Sequence, residues 1–299
     1  LFELLGLEKK ISQKYINICD YDNLSSAIKE ISPDIVFHLA AQPLVRVSYE
    51  RTIETFNTNV IGTLNVLESC KFLDRNINLV CITTDKCYEN EEHGQRFIES
   101  DPMGGKDPYS ASKACTEILT KSHALSFNKL KLCTARAGNI IGGGDWAKDR
   151  IITDIVESIS KNKDILVRSP KAIRPWQHVI DVINGYLKLA IYNDQKDEVF
   201  NSFNFGPSED NEIDVETLTK KFIANWGSCN STIKIDSNRH LPESNILRLD
   251  SNKAKNILGW EPSMDIDISV KETSLWYENF YLKNEISEFT IEQIKKYLH

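Results

Sequence analysis

No run of basic residues, no C-x-x-C pair and no apolar stretch of membrane-spanning length occurs in this chain of 299 residues. Each absence closes a class of function. Without a lysine or arginine stripe, and with a formal net charge of -7, the chain lacks the electrostatic footprint of a protein whose partner is nucleic acid or an anionic membrane. An anionic small molecule stays open, because it needs only a few arginines to converge. The apolar runs fall well short of the ~20 residues that cross a bilayer, and no signal-type segment opens the chain. Seven cysteines are present, an odd number without any Cys/His cluster. That pattern argues against a disulfide framework or a metal site and for reduced thiols in the cytoplasm. Cys81 and Cys133 sit inside apolar runs and are expected as small core residues. Methionine is missing from the first position: the chain opens at Leu1 with "LFELLG", which reads as a sequence lacking its beginning.

What is present alternates. "YINIC" (15–19) reads as a short strand, and Asp22 is placed to cap a helix through "NLSSAIKEI". "DIVFHLA" is a continuous apolar strand of the kind buried on both faces. Helical periodicity follows from Thr52 to Phe72 through Val60, Leu64, Leu67 and Cys70. "INLVCITT" is the next strand, and a helix is expected from about Tyr109 to Phe127. The strand "KLCTARAGNII" then runs into Gly142 to Gly144. Strands alternating with helices predict an α/β fold with a doubly wound, mostly parallel sheet. Beyond Gly144 the texture changes to helices near 151–161, 214–226 and 267–283 with short strands near 164–168 and 200–205. Gly259 to Pro262 reads as a helix end followed by a turn. This part is expected to be a smaller lobe over the carboxyl edge of the sheet. The division is therefore 1–144, also receiving about 173–206, and 145–299.

Chemistry gathers at the strand ends. "YSASK" places Tyr109 and Lys113 four residues apart, on one helix face, where an ammonium beside a phenol favours phenolate and makes a usable base. Alone the pair is weak, since such spacings arise on many solvated helices. "HLAAQ" (38–42) and "TTDKCY" (83–88) also lie at strand ends, and "NTNVIGT" (57–63) opens the helix between them. In open parallel sheets ligands bind outside the carboxyl ends of strands. The small residues Ala40 and Ala41 let a flat cofactor approach the backbone there.

Together "HLAAQPLVRVSYE", "TTDKCYEN", "YSASK", "ARAGNIIGGGDWAKDR" and "IRPWQHV" resemble the extended short-chain dehydrogenase/reductase superfamily and, within it, the CDP-glucose 4,6-dehydratases. The resemblance runs over nearly the whole chain. It implies a Rossmann-like fold, a CDP-glucose substrate and a reaction in three parts on one bound NAD: oxidation at C4, loss of water across C5 and C6, and return of the hydride to C6. Tyr109 is implied to take the C4 hydroxyl proton, Thr84 to hold the reacting oxygen, and Lys113 to hold the ribose and tune Tyr109. Asp85 is implied to be the acid for the departing C6 hydroxyl. Lys86 stands where the dTDP-glucose branch carries a glutamate base, and a lysine must be neutral to accept the C5 proton; the alternative is that it stabilises the enolate. Cofactor contacts carried over are Asn17, Ile18, Leu39, Ala40, Ala41 and Asn59, with Tyr109 and Lys113; Asn17 departs from the aspartate many members have there. Asn139, Arg150 and Arg174 are implied to meet the substrate's diphosphate, with Gln177 and His178 lining the pocket. Arg168, Arg239 and Arg248 fall outside that support and are expected on the surface or in lobe packing. Trp176 fits a core aromatic and a stacking platform equally. A homodimer or dimer of dimers is implied, through the helices near 52–72 and 109–127.

One superfamily feature is missing. A G-x-x-G-x-x-G turn between a first strand and helix normally binds the cofactor pyrophosphate, and nothing here matches it. With the Leu1 start, the expectation is that about fifty upstream residues are omitted, the length of one strand-helix-strand unit. Three readings follow: a dehydratase, a nucleotide-sugar 4-epimerase that needs no Asp85-Lys86 pair, or a cofactor-free relative without catalysis.

Overall fold

The computed structural model describes residues 1–73, 76–127, 129–196, 198–236 and 244–298; Arg239 lies outside the described residues. Four strands, Ile35–His38, Ile77–Ile82, Leu130–Ala137 and Phe200–Phe205, pair in that order, all parallel. The reason is in the residues. "INLVCI" is apolar at almost every position, so both faces of its strand must be covered. Leu79, Cys81 and Leu132 pack on one face with Leu67, Cys70 and Ala124 from the helices Gly62–Lys71 and Pro108–Phe127. Val80, Cys133 and Ala135 pack on the other with Val182 and Leu189 from the helix Val179–Gln195. The sheet is thus wound on both sides, as expected. Cys81 and Cys133 are fully buried core residues.

Local departures have local causes. "YINIC" forms no strand. The Asn17 side chain accepts a hydrogen bond from the Cys19 amide at 3.0 Å, and the Asn17 carbonyl accepts one from Asp20 at 2.9 Å. This turn diverts the backbone groups that a ladder would need. The following helix, Tyr21–Ile31, is capped by Asp20, whose carboxylate accepts from the Asn23 amide, so Asp22 lies inside the first turn. The predicted helix 52–72 is continuous in space but changes pitch, with a π turn at Asn57–Ile61 that carries the buried Asn59. Pro108 opens the next helix, where a missing N–H costs nothing, and Asp107 accepts from the Ser110 amide.

A second core lies beyond the sheet. Ile152, Ile155, Val156 and Ile159 of the helix Ile151–Ser160 pack with Leu218 and Phe222 of Val215–Ala224 and with Val270, Trp276 and Tyr277 of Ile266–Tyr281. The strand Ile165–Val167 pairs there with Ile233–Ile235. The glycine run acquires a use as a close contact with this lobe: a Cβ on Gly143 would stand 2.0 Å from the Trp276 ring. Gly259 ends the π turn Ala254–Leu258 at φ 59, the left-handed cap expected of it. The helices Val45–Glu50, Val179–Gln195 and Ile286–Tyr297 were not among those expected from the sequence.

Candidate active site

The carboxyl ends of Ile77–Ile82 and Leu130–Ala137 open on a cavity of about 360 Å³ that also takes in the lobe. That is within the size range of small-molecule sites. Thr84, Asp85, Lys86 and Tyr109 all line it, so one strand tip and one helix bring four of the five expected catalytic side chains together.

The Thr84 hydroxyl is the hub of the group. It lies near the Tyr109 phenol, donates to Asp85 Oδ1 at 3.0 Å and accepts from the Lys86 amide. Asp85 is 2% exposed, and its Oδ2 has no hydrogen-bond partner. Burial pushes its carboxyl up from 3.8 to about 6, against the pull of Lys86, the Thr84 hydroxyl and Arg174. A carboxylic acid in that range can give a proton near neutral pH. Lys86 is half-buried beside it.

Tyr109 differs from expectation. Burial pushes its phenol up to about 12; the neighbouring Thr84 hydroxyl and the Arg150 charge act downwards, and the Asp85 charge upwards. Lys113 is buried, and its Nζ donates to the Ile82 carbonyl at 2.9 Å rather than to the phenol. Desolvation outweighs the neighbouring charges here, and it also lowers the Lys113 ammonium to about 8.

The expected substrate residues divide. Asn139, Arg150 and Arg174 line the cavity. Arg150 is half-buried, its Nε 3.5 Å from Asp145 Oδ2. Arg174 is 5% exposed and donates to the carbonyls of Ile173 and Asn245. Gln177 and His178 do not line it. Gln177 is buried and donates to the Phe205 carbonyl, while His178 Nδ1 accepts from the Ile180 amide and caps the helix behind. Trp176 is 5% exposed, donates to the Ile213 carbonyl, and forms part of the cavity wall as well as the lobe core.

Of the cofactor candidates, Leu39 and Ala40 stand exposed at the end of Ile35–His38, with half-buried Ala41 beside them. This backbone bears only small side chains at two of three positions, a surface a flat ring can approach. Asn59 is committed inside the protein: it accepts from the Gln42 amide and donates to the Gln42 carbonyl and Ser112 Oγ. It therefore fixes the loop that carries Leu39 to Ala41. Asn17 lines a separate depression with Lys14 and Asp20, and Ile18 packs where a Cβ of Gly62 would be.

Among the cavity residues the sequence reading did not single out are Tyr186 and Arg168. Tyr186 is 6% exposed, and its hydroxyl has no partner although it faces the cavity that holds Tyr109 and Asp85. Arg168, expected on the surface or in lobe packing, lines the cavity too. Neither stands in a spacing that marks it; an arginine two residues after the exposed Leu166 of a short strand was the only available signal for Arg168. Arg248, by contrast, pairs with Glu212 and the Gly94 carbonyl in lobe packing, as expected.

Comparison with known proteins identifies the family and the fold. The profile of the GDP-mannose 4,6 dehydratase family matches residues 3–273. The chain is 38% identical over 308 residues to a CDP-glucose 4,6-dehydratase of Salmonella typhimurium, covering 100% of this chain and 85% of that one. Two solved structures share the fold. One is a UDP-glucuronic acid 4-epimerase from Bacillus cereus in complex with UDP-glucuronic acid and NAD, with TM-score 0.79, 19% identity and coverage of 94% and 85%. The other is a dTDP-glucose 4,6-dehydratase from Bacillus anthracis in complex with NAD, with TM-score 0.76, 22% identity and coverage of 92% and 82%. The chain belongs to this dehydratase family, within the extended short-chain dehydrogenases/reductases.

Proposed function

We propose that this family member removes water from CDP-glucose to give CDP-4-keto-6-deoxyglucose, with NAD as its resident cofactor. One observation carries the reading: a buried carboxyl at Asp85, raised to about 6 and with a free oxygen, lines the same cavity as the Tyr109 phenol. A 4-epimerase needs a phenol and a hydroxyl at its sugar but no proton donor for a leaving group, so Asp85 favours the dehydratase.

NAD, when bound, supplies the hydride acceptor for C4 and the donor that later reduces C6. Leu39 to Ala41, with Tyr109 and Lys113, would hold it; the exposed backbone at Leu39 and Ala40 and the buried Lys113 amine suit its nicotinamide-ribose half. In its phenolate form Tyr109 accepts the proton of the C4 hydroxyl, whose oxygen the Thr84 hydroxyl holds. The new ketone acidifies C5. Lys86 takes the C5 proton, Asp85 gives its proton to the C6 oxygen, and water leaves. Arg150 and Arg174 balance the diphosphate, with Asn139 as a neutral donor beside them. Gln177 and His178 act as framework behind the cavity.

Residues 1–144 with about 173–206 carry the cofactor, and 145–299 mainly form the substrate lobe. The exposed Ile53, Ile118 and Leu125, at 80%, 57% and 65%, favour a homodimer through the helices of residues 52–71 and Pro108–Phe127. Seven free cysteines suit a cytoplasmic enzyme. The test is incubation with NAD and CDP-glucose, reading the alkali-absorbing 4-keto sugar. Product without net NADH supports the dehydratase. Interconversion of the C4 epimers without keto sugar would replace it with the epimerase, and failure to bind NAD at all with a cofactor-free relative.

A further inference from the structure

Beneath the catalytic group lies a buried ion pair that the mechanism above does not use. Glu117 and Arg136 are 2% and 3% exposed, and Arg136 Nη2 donates to Glu117 Oε2 at 2.8 Å. Neither lines the cavity. The pair holds both ends of the stretch "TTDKCY". At one end the Thr83 hydroxyl donates to Glu117 Oε1; at the other, Arg136 Nη1 donates to the Tyr88 hydroxyl at 2.8 Å. Thr84, Asp85 and Lys86 stand between these two anchors. Glu117 also accepts from the Thr134 hydroxyl of the adjoining strand at 2.8 Å. It lies four residues past Lys113, on the same face of Pro108–Phe127. Lys113 and Glu117 therefore grip consecutive residues of one strand end, the Ile82 carbonyl and the Thr83 hydroxyl. Desolvating two charges offsets most of their attraction, so such a pair adds little stability over apolar side chains of the same volume. What it adds here is direction and charge.

The charge acts on Lys113. Burial lowers that ammonium to about 8, and Cys81, Glu117 and Cys87 act in the opposite sense. The two thiols supply no charge near neutrality, because burial pushes Cys81 up to about 12 and Cys87 well above its usual range. His38, at the end of the first strand and within reach of the Lys113 charge, is lowered to about 4 by burial and is neutral as well. That leaves the Glu117 carboxylate. We propose that the Glu117–Arg136 pair is the positioning element of this active site: it clamps residues 83–88 against the catalytic helix and gives the buried Lys113 its counter-charge. This rests on the roles given above to Thr84, Asp85 and Lys113 and adds the groups that set them in place. Glu117 and Arg136 are positioning residues, acting through Thr83, Tyr88 and Lys113 without touching the sugar.

The experiment is a pH titration of the Lys113 Nζ resonance by NMR in the free protein, the signal assigned by its loss in Lys113→Arg. Charges one helical turn apart in a protein interior shift each other by roughly one to two pH units, so Glu117→Gln should bring the midpoint down from about 8 by that amount. Glu117→Asp keeps the charge and should stay within about half a pH unit of the parent. Glu117→Gln also strands a buried Arg136 charge, which the double variant Glu117→Gln/Arg136→Met does not. Thermal melts show whether the single variant has folded, and the double variant decides where it has not. Its midpoint should still fall, by less; an unmoved midpoint there overturns the counter-charge. In turnover, kcat of Glu117→Gln should fall roughly tenfold at pH 8 and approach the parent at pH 6, with KM for CDP-glucose held. A deficit equal at every pH, or one carried by KM, marks a structural lesion and overturns the proposal. Thr83→Val loosens the clamp and leaves the charge, so the Lys113 midpoint should hold while kcat falls on the order of tenfold; unaltered kcat removes the clamp. Failure here is separable from failure of the dehydratase reading, because the titration needs neither NAD nor sugar. A shifted midpoint without keto sugar sinks the reaction alone, and keto sugar with an unmoved midpoint sinks the role of the pair alone.

Discussion

Replacing Asp85 by asparagine should abolish dehydration and stabilise the fold at once. The carboxyl is 2% exposed, and burial raises it from 3.8 to about 6. At about 1.36 kcal/mol per pH unit this amounts to roughly 3 kcal/mol spent on keeping a buried carboxylate ionised above pH 6. The sign follows from proton linkage. The folded state holds the proton more tightly than the unfolded one. Stability from Asp85 is therefore fully present below its unfolded value of 3.8 and lost as pH rises through about 6. An asparagine carries no charge, so the variant escapes this loss. It keeps a polar group that needs partners, so the net gain at pH 8 should be about 1–3 kcal/mol. Urea unfolding of parent and variant at pH 8, 6 and 4 is the assay. The gain should shrink steadily towards zero by pH 4. A variant less stable than the parent at pH 8, or a difference that ignores pH, would refute the claim that this carboxyl is held against its own ionisation, and with it the case for Asp85 as the proton donor.

Other outcomes follow from the same site. The elimination step, read in single turnover as decay of the transient NADH absorbance, should slow as pH rises through about 6 and the acid form of Asp85 is lost; a flat profile from pH 5 to 8 removes Asp85 from the acid role. Lys86→Met should slow exchange of the C5 proton with deuterated solvent while C4 oxidation continues, and unchanged exchange would take Lys86 out of the base role. Tyr186→Phe removes a buried hydroxyl that has no partner in the free protein, so stability should hold or rise while turnover falls on the order of tenfold if that hydroxyl bonds the sugar; unaltered turnover shows that it does not. Gly143→Ala would press a methyl into Trp276, which is 1% exposed and anchored to Thr290 by its indole N–H, and should cost about 1–3 kcal/mol in urea unfolding.

The legible parts of this protein are those where one physical demand dominates a segment. "INLVCI" declares a strand covered on both sides because every position but one is apolar, and Leu79 and Val80 do face opposite helical layers. The Tyr109 helix was legible because Pro108 starts it and no glycine or further proline interrupts it up to Phe127. "YINIC" misled for the opposite reason: Tyr15, Ile16 and Ile18 favour a strand, but Asn17 satisfies a neighbouring amide with its own side chain and turns the chain. The helix Val179–Gln195 gave no stripe because it is apolar on several sides, with Val182 and Leu189 buried and Ile183, Leu187 and Ile191 left open.

At the site, the sequence located the groups but misjudged what sets their acidity. A lysine four residues after a tyrosine suggests a lowered phenol, and that inference counts charges while ignoring solvent. Once folded, Lys113 gives its proton-bearing nitrogen to the Ile82 carbonyl, and burial governs both groups, raising Tyr109 to about 12 and lowering Lys113 to about 8. Desolvation is a property of the assembled cavity, not of any spacing. The same cause makes Asp85 an acid near neutrality and left Arg168 unread, because neither the depth of one nor the partners of the other are local in the chain. Asp149 reaches Arg46 across 103 positions and Arg168 across 19. A cavity wall assembled from such distant parts acquires its electrostatics only in the folded chain.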